Sequence, residues 1–207
     1  MTKERTIDTL TVESSALCCN FVNTVYAWRG VNLNEYLKTY DDFIAWCRKL
    51  DVCDPSYLDE LSEQAKLHPQ KATNALHEIK KVRQLLYNFI SAIAAGEQET
   101  YKALLNELNP LLMKSLNKQQ IVFKNEAFQP EFQLDATALD SPLHVVLKSL
   151  YDVLIQADLS RIKECPKCGW VFLDETKNGR RRWCSPTECG TQDKMLRYNQ
   201  KKRQISS

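Results

Sequence analysis

The last 43 residues of this 207-residue chain contain Cys165-x2-Cys168, then fifteen residues, then Cys184-x4-Cys189. No other feature restricts the fold as much. Two close thiol pairs can turn back on one ion, and this pattern is among the recurrent spacings for structural zinc. Thiolates bind Zn²⁺ tetrahedrally, and four of them close its shell, so the expected ion is structural rather than catalytic. A segment this short has little core, and metal binding supplies most of its folding free energy.

The residues around the cysteines agree. Gly169 allows a positive φ directly after Cys168. Trp170–Leu173 reads as a strand, Lys177-Asn178-Gly179 as a turn, and Arg180–Trp183 as a returning strand that delivers Cys184. Ser185-Pro186 is a helix start, with Ser as cap and Pro at the first position, and the helix runs to about Arg203. Knuckle, hairpin and helix in this order predict a treble-clef-like four-cysteine zinc finger.

The other four cysteines, Cys18, Cys19, Cys47 and Cys53, have no ligand-like spacing and read as core thiols. The three histidines, His68, His77 and His144, lie far from any cysteine in sequence. A catalytic thiol needs a polarising partner. No paired carboxylates, triad or phosphate loop stands out, so no enzyme is expected.

The net charge of +2 conceals an uneven distribution. From Arg161 onward there are twelve Lys and Arg against five Asp and Glu, or +7; the preceding 160 residues hold sixteen against twenty-one, or −5. Such asymmetry points to nucleic acid or another polyanion as a partner of the C-terminal piece. The candidate contacts are Arg180, Arg181 and Arg182 on the return strand, and Gln192, Lys194, Arg197, Lys201, Lys202 and Arg203 on the last helix. Phosphate neutralisation needs a cluster of this kind, and Gln192 at a helix start has the chemistry to meet an adenine edge. Met195 and Tyr198 would form a neighbouring stripe facing the finger. The competing reading is a protein-interaction module without DNA binding, its basic helix docked on an acidic partner or on this chain's own acidic body.

The N-terminal 160 residues read as mostly helical. Apolar residues three and four apart predict helices over Ser14–Trp28, Tyr40–Leu50, Pro55–Leu67, Ala72–Ala95, Glu99–Leu116 and Pro142–Ala157. Thr39 with Asp42 forms a capping box, and Gly96 ends a helix in the C′ role. Gln119–Lys124 and Ala127–Leu134 alternate and flank Asn125-Glu126, the one hairpin of the body. The fold class is therefore α+β: an α-rich domain over residues 1–160 with one β-hairpin, and a zinc finger over 161–207. Asn20, Asn23, Arg29 and Arg83 could line a polar ligand pocket between helices. No apolar run reaches the 18–20 residues or so that span a bilayer, and the N-terminus has no secretory h-region, which predicts a cytoplasmic protein without membrane contact. A homodimer and a small-molecule effector complete the expected partners.

Cys165-x2-Cys168-Gly169-Trp170-x-Phe172-x-Asp174, Asn178, Arg181-Arg182-Trp183-Cys184-Ser185 and Cys189-Gly190 together resemble the CGNR zinc-finger family. Leu17-Cys18-x-Asn20-Phe21-Val22-Asn23-Thr24 resembles the opening motif of the ABATE domain, which precedes that finger in the same proteins. The resemblance implies a bacterial stress-responsive transcription regulator, with DNA bound by the finger and a signal sensed, or dimerisation mediated, by the N-terminal domain. The family's Cys-Gly-Asn-Arg reads Cys189-Gly190-Thr191-Gln192 here, and its N-terminal Asp is Asn20. Gln192 lacks the charge and planar five-donor fork of arginine.

Overall fold

The computed structural model describes residues 5–29 and 34–205. Seven α-helices and four short strands follow the order α1 (Leu17–Val22), α2 (Tyr40–Lys49), α3 (Pro55–Leu67), α4 (Pro69–Ala95), α5 (Gln98–Leu116), β1 (Gln119–Lys124), β2 (Ala127–Phe132), α6 (Leu143–Gln156), β3 (Ile162–Glu164), β4 (Val171–Leu173) and α7 (Thr191–Ile205). The fold is α+β, as the sequence predicts.

Local signals set most of the helix ends. Thr39 accepts from the Asp42 N–H while the Asp42 carboxylate accepts from the Thr39 N–H, so α2 starts on the expected capping box. Asp54 accepts from Ser56 N–H and Pro55 opens α3. Gly96 closes α4 in the left-handed region at φ +73°. Asn125 and Glu126 both have positive φ, 51° and 60°, and join β1 to β2 as a two-residue turn of the kind whose twist matches a hairpin.

The 27-residue α4 is the axis of the body. Its Ile79, Leu86, Phe89 and Ile90 are fully buried. Helices α1, α2, α3 and α5 pack on it, and α6 packs on α1 and α5. Cys18, Cys19 and Cys47 are buried in the same core. Burial pushes the Cys47 thiol up and that of Cys53 up to about 12, so neither supplies a thiolate at neutral pH.

Helix α1 departs from the expectation. The apolar period predicts helix through Trp28, but the helix stops at Val22. Thr24 turns its hydroxyl back to Phe21 O at 2.8 Å. Val25 then forms an antiparallel bridge with Glu35, and Trp28 stacks on Tyr87 of α4 at 3.9 Å between ring centroids. These are distant contacts, and they override the local period.

Strands β3 and β4 pair antiparallel, Glu164 opposite Val171, Lys163 opposite Phe172 and Ile162 opposite Leu173. Their connection is the first cysteine knuckle. Helix α4 packs on both strands and α1 on β4, so Trp170, Val171 and Phe172 belong to the same buried cluster as Phe89 and Val22. The hairpin β1–β2 instead exposes one face: Ile121, Phe123 (63%) and Phe128 (78%) stand in solvent, with the two phenyl rings 5.0 Å apart.

Candidate metal centre

The knuckle forms because the chain reverses tightly between β3 and β4. Cys165 N–H donates to Trp170 O at 2.7 Å, and Gly169 N–H donates to Cys165 O at 2.9 Å. The reversal needs φ +78° at Gly169, as its position after Cys168 predicts. Close approach is a second reason for glycine there. A Cβ on residue 169 would lie 2.9 Å from Trp28 Cβ and 3.2 Å from the Tyr87 hydroxyl.

The second pair arrives differently from the expectation. No strand forms over 180–183, so the predicted Arg180–Trp183 return strand is corrected to an irregular loop. Strand β4 pairs backward with β3 instead, and side chains rather than a ladder hold the loop. The buried Asp174 carboxylate accepts from Thr176 N–H (3.0 Å), Thr176 Oγ1 (2.6 Å), Arg181 N–H (2.9 Å) and Lys163 Nζ (2.7 Å). Burial by itself would raise the Asp174 pKa, but Lys163, Thr176 and Arg181 more than offset it and the pKa falls. Arg161 donates to Asp174 O and Thr176 O, and Lys163 also donates to Gly179 O. Ser185 then caps a wide turn, Pro186–Gly190, that carries Cys189 and leads into α7.

These elements bring Cys165, Cys168, Cys184 and Cys189 together, with their sulfurs all within 4.8 Å of one another. Cys168 and Cys184 Sγ are 3.4 Å apart, and Cys184 and Cys189 Sγ are 3.6 Å apart. A tetrahedron with metal–sulfur bonds of about 2.3 Å has edges of about 3.8 Å, so the donor set fits one tetrahedral metal ion. As bare thiols the four divide their protons: Cys165 accepts from Cys168, Cys184 and Cys189 and its pKa falls, while that of Cys184 rises. A divalent cation ends this competition by taking all four as thiolates. With four sulfurs it would act as a structural cross-link between knuckle and α7.

The N-terminal segment holds the knuckle from outside. Trp28 N–H and Arg29 N–H both donate to Cys168 O, at 2.7 and 3.3 Å. Arg29 also donates to Pro166 O and pairs with Glu164 at 2.5 Å, and Ser91 of α4 donates to the same carboxylate. Trp170 Nε1 donates to Val25 O at 2.6 Å.

The four polar residues read as pocket candidates occupy separate places. Asn20 holds Ser14 through both backbone groups, and Ser14 Oγ accepts from Leu173 N–H. Asn23 bonds the backbone of Val171. Arg83 makes a two-point pair with Glu35 at 2.7 and 2.6 Å and donates to Thr24. Arg29 alone of the four lines the cleft beside the cysteines.

The basic candidates also divide. Arg180, Arg182, Gln192, Lys194 and Lys202 are exposed. Arg181 is held inside the molecule: it stacks over Phe172 at 4.5 Å, donates to Glu13 O at 2.8 Å and to Trp183 O at 3.1 Å, and reaches Cys184 O. The side chains of Arg197, Lys201 and Arg203 lie outside the described residues. Met195 and Tyr198, expected to face the finger, are instead exposed (60% and 67%); α7 packs mainly on the turn before it among the described residues.

Sequence reading gives Glu13 no role, sets Trp28 only at the end of a helix and Asp174 only within the family motif. Asp174 had a local signal, a carboxylate two residues before Thr176, the spacing of an Asx turn. Trp28 and Glu13 act across the chain and had none.

Comparison with known proteins agrees with this architecture. A CGNR zinc finger model matches residues 161–202, and a model described as "Putative stress-induced transcription regulator" matches residues 15–156. No curated protein matches the chain. With most of its length covered by the second model, the chain belongs to the ABATE family and carries a CGNR zinc finger behind that domain.

Proposed function

We propose that the chain is a transcription regulator, not an enzyme, that binds DNA through the basic surface of its finger around a structural Zn²⁺. The observation that carries this reading is the sign change along the chain: a −5 body precedes a +7 piece built around four converging thiols. Arg180, Arg182 and Lys194 are exposed cations on that piece, and phosphate contacts of this type supply sequence-independent affinity. The chemistry favours zinc, because an all-thiolate tetrahedral set is its usual structural site and leaves no open position for a substrate. We place the protein in the cytoplasm, where a reducing environment keeps thiols available for metal. No described helix is long and apolar enough to cross a membrane.

In this reading the N-terminal domain senses a ligand or mediates dimerisation. The exposed Ile121, Phe123 and Phe128 of the β1–β2 hairpin support the second role, since an apolar face on a two-stranded ribbon has no layer of its own chain to cover it. The test is gel retardation of duplex DNA by the full-length, zinc-loaded protein across a salt series. Retardation should weaken steeply with salt. The Arg180→Ala/Arg182→Ala/Lys194→Ala variant should lose at least tenfold in affinity, with a salt slope smaller by about three ions. Unchanged retardation by that variant favours a protein-interaction module.

A further inference from the structure

A cleft of about 620 Å³ opens between residues of the N-terminal stretch Arg5–Glu13, the Tyr26–Arg29 segment and the finger. Its floor includes Cys168, Cys184 and Cys189, and its walls carry Arg5, Tyr26, Tyr36, Lys167 and Glu188. The size is that of a site for a molecule of about nucleotide dimensions.

The charged groups of this cleft differ in how far they are satisfied. Arg29 is paired with Glu164, and Glu13 faces Arg181 at 3.4 Å. Among the described residues, Arg5, Lys167 and Glu188 have no partner of opposite charge. Arg5 rests on the Tyr26 ring, a cation–π contact that holds it at the rim. Lys167 donates to the Gln192 side chain, a neutral acceptor. Two of the three act on one phenol: burial raises the Tyr36 pKa, Arg5 opposes that rise and Glu188 adds to it.

We propose that this cleft binds a nucleoside monophosphate. Each part of that ligand answers a group the protein leaves unsatisfied. A phosphate supplies the anion that Arg5 and Lys167 lack, with arginine offering its planar fork and lysine a point charge. Sugar hydroxyls supply donors to the Glu188 carboxylate, which accepts only. A flat base meets the exposed Tyr26 ring, while the buried Tyr36 backs the wall. A bare inorganic anion would leave Glu188 opposed, and an uncharged nucleoside would leave both cations unanswered.

The position gives the site its consequence. Arg5 and the two tyrosines belong to the N-terminal part, whereas Lys167, Glu188 and Gln192 belong to the finger. A ligand bridging them would bias how the turn before α7 sits on the body. That consequence rests on the regulatory reading above, but binding itself does not.

The experiment is isothermal titration calorimetry on the full-length, zinc-loaded protein with AMP, GMP, CMP and UMP, and with adenosine and inorganic phosphate as separate arms. At least one monophosphate should bind. Adenosine and phosphate should each bind at least tenfold more weakly than AMP or not at all. Arg5→Ala and Lys167→Ala should each weaken the monophosphate at least fivefold, with circular dichroism and zinc content unchanged. If Lys167→Ala loses zinc, Arg5→Ala, remote from the four sulfurs in sequence, decides, and Glu188→Gln, next to Cys189, counts only with its zinc content unchanged. Absence of heat with all four monophosphates overturns the proposal, as does equal affinity in wild type and Arg5→Ala. Gel retardation on the same preparations without nucleotide reads the DNA function separately, so either reading can fail alone.

Discussion

Asn23 and Val171, 148 positions apart, are joined by two hydrogen bonds: Asn23 Nδ2 donates to Val171 O at 2.8 Å, and Val171 N–H donates to Asn23 Oδ1 at 3.1 Å. Val171 already faces Glu164 across the β3–β4 pair. Its remaining backbone groups point toward α1, where a third strand would otherwise be needed. The carboxamide supplies one donor and one acceptor and so does the work of that strand. The residue is buried, as is Val171, so neither bond competes with water.

Replacing Asn23 by Ala would leave a buried N–H and a buried C=O without partners. Each unsatisfied group costs about 1–3 kcal/mol, so Asn23→Ala should destabilise by about 2–6 kcal/mol. Asn23→Asp keeps the acceptor but sets a carboxylate against Val171 O, and it should be no milder. Urea unfolding followed by far-UV circular dichroism measures both. A loss below about 0.5 kcal/mol for Asn23→Ala would show that water or backbone movement replaces the pairing.

Gly169 and Gly96 make a matched comparison. Both have left-handed backbone, φ +78° and +73°, but a Cβ at 96 meets nothing within 4 Å, whereas at 169 it meets Trp28 Cβ at 2.9 Å. Gly96→Ala should therefore cost only the conformational term, about 1–2 kcal/mol. Gly169→Ala adds a clash with a side chain stacked on Tyr87, and should cost at least about 1 kcal/mol more. It should also release metal more readily to a chelator, because the Trp28 N–H bond to Cys168 O is displaced with the ring. Equal costs at the two glycines would remove the close-approach argument.

The contrast between these features and the sequence reading has a physical origin. Capping at Thr39, the turn at Asn125-Glu126 and the end of α4 at Gly96 are decided within four residues, and the amino-acid types display them. The four thiols are legible for the same reason, since ligand spacing is a local constraint. Helix α1 is not, because the residues that stop it, Val25 and Trp28, answer to Glu35 and Tyr87. The loop after β4 is not, because Asp174 gathers the donors that would otherwise form a ladder. Charge counting cannot separate Arg181, folded under its own loop, from its exposed neighbours Arg180 and Arg182. The predicted return strand groups all three arginines as contacts, but the strand does not form.

His144 makes stability depend on pH. It is buried on α6, with Nδ1 2.9 Å from the Ser115 hydroxyl. Burial lowers its pKa, with Lys114 adding to the effect and Asp140 opposing it. The unfolded chain takes up a proton near the ordinary value of about 6.5, while the folded chain does so only at lower pH. Unfolding therefore binds a proton in that window, and stability falls as pH drops through about 6.5 toward the folded value. His144→Gln keeps a hydrogen-bonding side chain without the titration. Its stability difference from wild type should shift in the variant's favour between pH 7 and pH 5. Parallel stability curves with excess zinc present would exclude His144 as the source.

Metal removal should reach further than the finger. Cys165 and Cys184 are buried in the same cluster as Trp170 and Phe172, which α4 and α1 cover. Four thiols without a cation cannot all ionise within 4.8 Å, so the loop that brings Cys184 to Cys165 loses its cross-link. Asn23, Ser14 and Trp28 are bonded to Val171, Leu173 and Cys168 of the knuckle and β4, which the same ion holds, so loosening there would leave these groups unpaired inside the body. Cys184→Ser, or a strong chelator acting on the wild type, should therefore lower the melting temperature of the body as well as abolish order in residues 174–205. Near-UV circular dichroism reports the packing of all four tryptophans, Trp28 and Trp46 in the body and Trp170 and Trp183 in the finger, and metal analysis reports occupancy. One shifted transition is the expected record. An early finger transition followed by a body transition at the wild-type temperature would show that the contacts between them carry no free energy.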